Sequence, residues 1–185
     1  ASRAPLFSYP FLSPGEFMRR MAVVLLWLLH CSAPLRAQGL DWKALNAETL
    51  QTISDYVKVN TTNPPGNELD GVRFLKAILD REGIESQILD TAELGHNRGN
   101  IYARLRGNGS KKAVALVSHI DVVPVAPSFW SVDPFGGVVK DGYVWGRGHL
   151  DMKGQGIVQL MAMIALKRSG VPLKNKIVFL GPAAA

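Results

Sequence analysis

The sequence contains a single cysteine, Cys31, in 185 residues. A lone thiol can form neither a disulfide framework within the chain nor a thiolate metal site. Cys31 also sits in an early apolar segment, so a cysteine nucleophile is set aside. There is no internal repeat, no heptad run and no low-complexity stretch. No G-x-S-x-G occurs, which removes the serine-hydrolase reading, and no glycine-rich phosphate loop precedes a helix, which removes nucleotide binding. The longest apolar run has nine residues, too few to span a bilayer core. The chain is therefore not expected to be an integral membrane protein. With 47% hydrophobic and 19% charged residues the composition is globular, and the length suffices for one sizeable core.

Acidic residues are in the minority, 15 against 21 lysines and arginines, and the net charge is +6. Its location argues against nucleic-acid binding. Arg3, Arg19, Arg20 and Arg36 lie in the first 37 residues with one acid, Glu16. The remainder carries 17 basic and 14 acidic residues, a net of +3, and its basic residues are scattered. Met18-Arg19-Arg20 is followed by the apolar run MAVVLLWLL (21–29) and by small and polar residues up to Ala37. A basic start, an apolar centre and a small residue at the end form the pattern of an export signal. A buried N-terminal helix is the competing reading, and the arginine pair directly before the run favours export. The expected organisation is a leader or gene-model artefact over 1–17, a signal peptide over 18–37, and part of a catalytic domain over 38–185. The mature protein is expected to be secreted or periplasmic.

Residues 41–59 have helical apolar spacing with Asp41 as N-cap, and 69–82 repeat apolar positions up to Gly83. Residues 84–89 and 100–107 alternate like strands. KAVALVS (112–118) predicts a buried strand, and 136–148 a hairpin turning at Lys140-Asp141-Gly142. Residues 154–170 predict a buried helix ending at Gly170, and 177–180 a buried strand. Strands alternating with helices predict an α/β fold with a mainly parallel sheet.

Two stretches carry chemistry. SHIDVVP (118–124) begins where the strand 112–118 ends, and open α/β sheets place their sites at such ends. If extended geometry continues, His119 and Asp121 point the same way. A metal-bound histidine needs a partner on its other ring nitrogen, which Asp121 could supply. GRGHLDMKG (146–154) places Asp151 between a glycine-rich approach and the start of a helix. A carboxylate there could bridge two cations about 3.5–4 Å apart, or merely cap the helix. His149 repeats the H-x-D spacing, and the residues alone leave His119 and His149 both open as ligands. His96, in a polar loop, reads as solvated.

SHIDVVP, FWSVDPFGG (129–137), DGYVWGRG (141–148) and LDMKG (150–154), in that order, resemble the co-catalytic zinc peptidase family. Aminoacylases, acetylornithine deacetylase, succinyl-diaminopimelate desuccinylase and glutamate carboxypeptidases belong to it. VNTTNPPGNE (59–68) resembles an early segment of the same family, and the likeness extends over roughly 45–180. The resemblance implies a three-layer zinc-exopeptidase-like catalytic domain. It implies two zinc ions per complete site, a site that cobalt or manganese could also occupy. His119 would be a ligand to one zinc, Asp151 the aspartate bridging both, and Asp121 the catalytic-site aspartate behind the histidine. The bond from Asp151 to Met152 is often cis in the family, and His149 falls on a variable position. The implied substrate is a small N-acyl amino acid or peptide, and the implied assembly of the parent a homodimer.

The family completes its site with a Glu-Glu pair after the strand equivalent to 175–181, where this sequence reads GPAAA. The expectation is a truncated domain, inactive by itself, of a metal-dependent amide-bond hydrolase. The alternative is a catalytically dead relative that serves as a binding protein.

Overall fold

The computed structural model describes residues 15–16, 18–20, 39–91 and 97–184. The chain divides into two compact units, Ala1–Arg36 and Ala37–Ala185. In the first, the described residues 15–16 and 18–20 are helical and exposed. The apolar run 21–29, Cys31, the stretch up to Ala37 and His96 lie outside the described residues. No helix among the described residues is long and apolar enough to cross a membrane.

The second unit follows the predicted order of elements. Helix α1 (Trp42–Lys58) starts where Asp41 accepts a hydrogen bond from Ala44 N at 3.0 Å. Helix α2 (Glu68–Arg81) follows the loop 60–67, in which the peptide bonds before Pro64 and Pro65 are both cis. Strands β1 (Glu85–Asp90), β2 (Gly99–Leu105) and β3 (Val114–Val117) come next. Strands β4 (Val138–Lys140) and β5 (Tyr143–Trp145) form the expected hairpin. Asp141 and Gly142 both adopt positive φ, the backbone that a two-residue hairpin turn requires. A five-residue turn (149–153) leads into helix α3 (Gly154–Ser169), and β6 (Ile177–Gly181) closes the described fold.

The α/β expectation is met, but the sheet is mixed rather than mainly parallel. Its order is β1-β2-β6-β3, with β1–β2 and β2–β6 antiparallel and β3–β6 parallel. The reason is connectivity: only residues 91–98 join β1 to β2, fewer than the dozen or so a parallel crossover needs, so the second runs back along the first. The helical crossover between β3 and β6 gives the one parallel pair. The expectation of a buried strand at 112–118 also needs correction. β3 is an edge strand among the described residues, with Val114 43% and Val117 48% exposed. A short apolar run has the same composition at an edge as at a centre.

Strands β2 and β6 alternate buried and half-buried residues, so one face carries the core. Helix α2 packs on β1 and β2, and α3 packs on β6 and on α1. Leu79, Ile101, Ile157, Leu160, Met163 and Phe179 lie at the centre and are essentially inaccessible. Each such side chain is worth about 1.5–3 kcal/mol of burial.

Candidate metal centre

The segment leaving β3 keeps its extended course because it is bonded on both sides. Ser118 N, Ile120 N and Asp121 N donate to Leu180 O, Pro182 O and Ala183 O. On the other flank Val122 N donates to Thr61 O, Asn63 N to Val122 O, and the Thr61 hydroxyl to Ile120 O at 2.7 Å. Alternation then sends Ile120 and Val122 into the interior, 1% and 3% exposed. His119 and Asp121 emerge together on the opposite side. His119 Nδ1 lies 2.9 Å from Asp121 Oδ1, and Asn63 Nδ2 donates to Asp121 Oδ2 at 3.4 Å.

Asp151 reaches the same place from the turn before α3. Gly148 enters that turn at φ +76°, and Lys153 N closes it on Gly148 O at 2.8 Å. The bond from Asp151 to Met152 is cis. The carboxylate is 87% exposed and sets Oδ1 3.0 Å from His119 Nε2. With Nδ1–H donated to Asp121, a bare Nε2 lone pair would face a carboxylate oxygen and repel it. The gap is stable only with a proton or a cation between them. Two donors held about 2.0–2.2 Å from one ion stand at comparable separation, so the pair fits a metal. Asp121 holds the imidazole from behind, in the manner of carboxylate–histidine–metal sites.

His119, Asp121 and Asp151, which the sequence singled out, thus come together in one open depression with Val122, Arg147 and Leu150. His149 does not join them. Its ring packs beside Gly154, its Nδ1 is buried without a hydrogen-bond partner, and burial lowers its pKa. Among the described residues no group of three or more His, Cys, Asp or Glu is arranged to hold a metal ion.

Three surrounding residues escaped the sequence reading. Lys153 is 1% exposed, and its ammonium donates to Tyr56 O at 3.2 Å and to Val59 O. Burial pushes its pKa down to about 7. Asn63 and Thr61 lie in VNTTNPPGNE (59–68) without an assigned role, although they hold the His119 segment. A lysine beside a glycine at the start of an apolar helix is a weak signal for the first. Nothing local marks the other two, whose partners lie 58 and 59 residues away.

The fold is that of a metallopeptidase-type α/β domain. A family model described as peptidase family M20/M25/M40 matches residues 115–184. A probable succinyl-diaminopimelate desuccinylase of Staphylococcus aureus is 38% identical over 121 residues, 65% of this chain and 28% of that protein. Succinyl-diaminopimelate desuccinylase 2 of Ruegeria is 31% identical over 123 residues, 66% of this chain and 28% of that protein. Among solved structures, an M20 family metallo-carboxypeptidase from Sulfolobus solfataricus aligns at TM-score 0.65 and 27% identity, covering 74% of this chain and 30% of that one. Human carnosine dipeptidase 1 shares the fold at TM-score 0.63 and 24% identity, over 76% and 33%. These similarities support the M20/M25/M40 peptidase family for this chain, which spans about 28% of the length of the curated relatives it matches.

Proposed function

We propose that the protein containing this chain is a metal-dependent hydrolase of amide bonds in small N-acyl amino acids or peptides. The observation that carries the reading is the convergence of His119 Nε2 and Asp151 Oδ1 at 3.0 Å, with Asp121 behind the ring. In this reading His119 and Asp151 are metal ligands. Asp151, exposed on its far side, has a second oxygen free for a second ion, and zinc is the expected metal. A bound pair of divalent cations would supply an activated water and a polarised scissile carbonyl. Asp121 fixes the tautomer of His119 and aims Nε2 outward. Arg147, stacked over the Trp130 ring at 5.2 Å, lines the same depression and brings positive charge beside it. Names among the relatives include a desuccinylase, a carboxypeptidase and a dipeptidase, and all of these chemistries cleave a C–N amide bond. Two ligands hold a catalytic metal poorly, since about three plus water is usual. Activity therefore belongs to the whole protein, since this chain spans about 28% of the length of its curated relatives, and the expected assembly is a homodimer.

The test uses the whole protein. His119→Ala and Asp151→Ala should each abolish turnover of N-acyl amino acids and dipeptides and lower metal content. His149→Ala should leave metal content nearly unchanged. Loss of as much metal from His149→Ala as from His119→Ala would refute the ligand assignment. Metal bound without turnover of any amide substrate would favour a binding protein instead.

A further inference from the structure

We propose that Lys153 is a positioning residue that fixes the Asp151 carboxylate opposite His119 by clamping the turn after Asp151 onto the C-terminus of α1. The inference rests on the reading of His119 and Asp151 as metal ligands. The Asp151 side chain is 87% exposed, and its one hydrogen-bond partner among the described residues is His119. Side-chain contacts therefore do not place it, and its backbone turn does. That turn ends in Lys153, among the largest of the fully buried side chains.

No acid pairs with Lys153 among the described residues. Its donors go to main-chain carbonyls of α1, Tyr56 O and Val59 O, and its ammonium lies 5.0 Å from the Tyr56 ring centroid. A cation suits a helix C-terminus, where carbonyls lack partners and the helix dipole is negative. Burying an amine in this way still costs more than burying a methyl-terminated chain of equal length. What the amine gains is a fixed attachment. The chain leaving α1 at Val59 continues directly into Thr61 and Asn63, which hold the 120–122 segment through Ile120 O, Val122 and Asp121. Both ligand-bearing segments therefore hang from one anchor, His119 through Thr61 and Asp151 through Lys153. Other ties on the turn are weaker: Ser118 Oγ to Met152 O is 3.4 Å, and Lys153 N to Gly148 O is internal to the turn. Loss of the amine frees the turn to drift relative to His119. Outer-shell supports of this kind alter metal affinity by about 10–100-fold.

Cobalt(II) titration of the metal-free whole protein, read by visible absorbance, tests this beside thermal unfolding. Lys153→Met should weaken Co(II) binding about 10–100-fold and alter the visible spectrum. Lys153→Arg, which keeps the donors, should recover part of the affinity. Arg168→Met, which breaks a distant ion-pair network, should lower the melting temperature and leave Co(II) affinity intact. His119→Ala must lose Co(II) binding, since its failure to do so would sink the ligand reading itself. If His119→Ala loses the metal while Lys153→Met keeps wild-type affinity and spectrum with a lowered melting temperature, the positioning role is wrong and Lys153 is structural only. Should Lys153→Met not fold, Lys153→Gln is measured in its place against the same two outcomes.

Discussion

Replacing Gly148 with alanine tests how the Asp151 turn is seated against the His119 segment. Gly148 has φ +76° and ψ 0°, the left-handed region. A side chain there costs about 1–2 kcal/mol for the backbone alone. A Cβ on Gly148 would also lie 2.2 Å from Val122 Cγ1 and 3.2 Å from Val122 Cβ. Val122 is 3% exposed and cannot swing into solvent. Overpacking of this kind adds about 1–3 kcal/mol, so Gly148→Ala should cost about 2–5 kcal/mol. The two contributions separate in a double-mutant cycle. Val122→Ala removes the obstructing methyls and should itself cost about 2 kcal/mol in lost burial and cavity. In the double variant the 2.2 Å clash with Cγ1 is gone, while the left-handed cost and the 3.2 Å approach to the retained Cβ remain. The two changes should therefore be less than additive by about 1–3 kcal/mol. Urea unfolding of the whole protein, followed by tryptophan fluorescence, supplies the stabilities. Cobalt affinity should fall in Gly148→Ala and partly return in the double variant. A cost below about 0.5 kcal/mol, or additivity within about 0.3–0.5 kcal/mol, would refute the contact on which the reasoning stands.

The ion-pair network at Arg168 should give a pH signature. Arg168 donates to Glu48 at 2.6 and 2.9 Å and to Glu82 at 2.7 and 3.0 Å. Its hydrogen bond to Glu48 is the main reason that carboxyl titrates below its ordinary 4.5. A carboxyl depressed in the folded state stabilises above its unfolded pKa and loses that contribution as pH falls through the folded one. Arg168→Met should therefore cost about 1 kcal/mol near pH 7, and the difference from wild type should shrink below about pH 4.5; a difference constant over that range would contradict the assignment. Export is proposed from Arg19-Arg20 and the run 21–29, so N-terminal sequencing of protein recovered outside the cytoplasm should read from near Gln38. Recovery of chains beginning at Met18 in the cytosol would overturn that.

By itself the sequence determined the local elements and the chemistry of the candidate ligands. Helical spacing with Asp41 as cap yields α1, Asp141-Gly142 yields the hairpin turn, and Gly170 ends α3, because caps and turns depend on residues a few positions apart. Alternation along 118–122 likewise sufficed to put His119 and Asp121 on one side. What only the tertiary structure decided involves pairs far apart in the chain. The sheet is mixed because β2 pairs with β6 across more than 70 residues, in a direction that no local pattern encodes. Asp151 meets His119 Nε2 from 32 residues away, while His149 packs beside Gly154, a placement the H-x-D spacing alone left open. Lys153, an ordinary surface residue by type, is buried because α1 ends where its amine arrives and the carbonyls of Tyr56 and Val59 accept from it there. Local sequence specifies which groups are present; packing brings them within a few ångströms of one another, the range over which hydrogen bonds and metal coordination act.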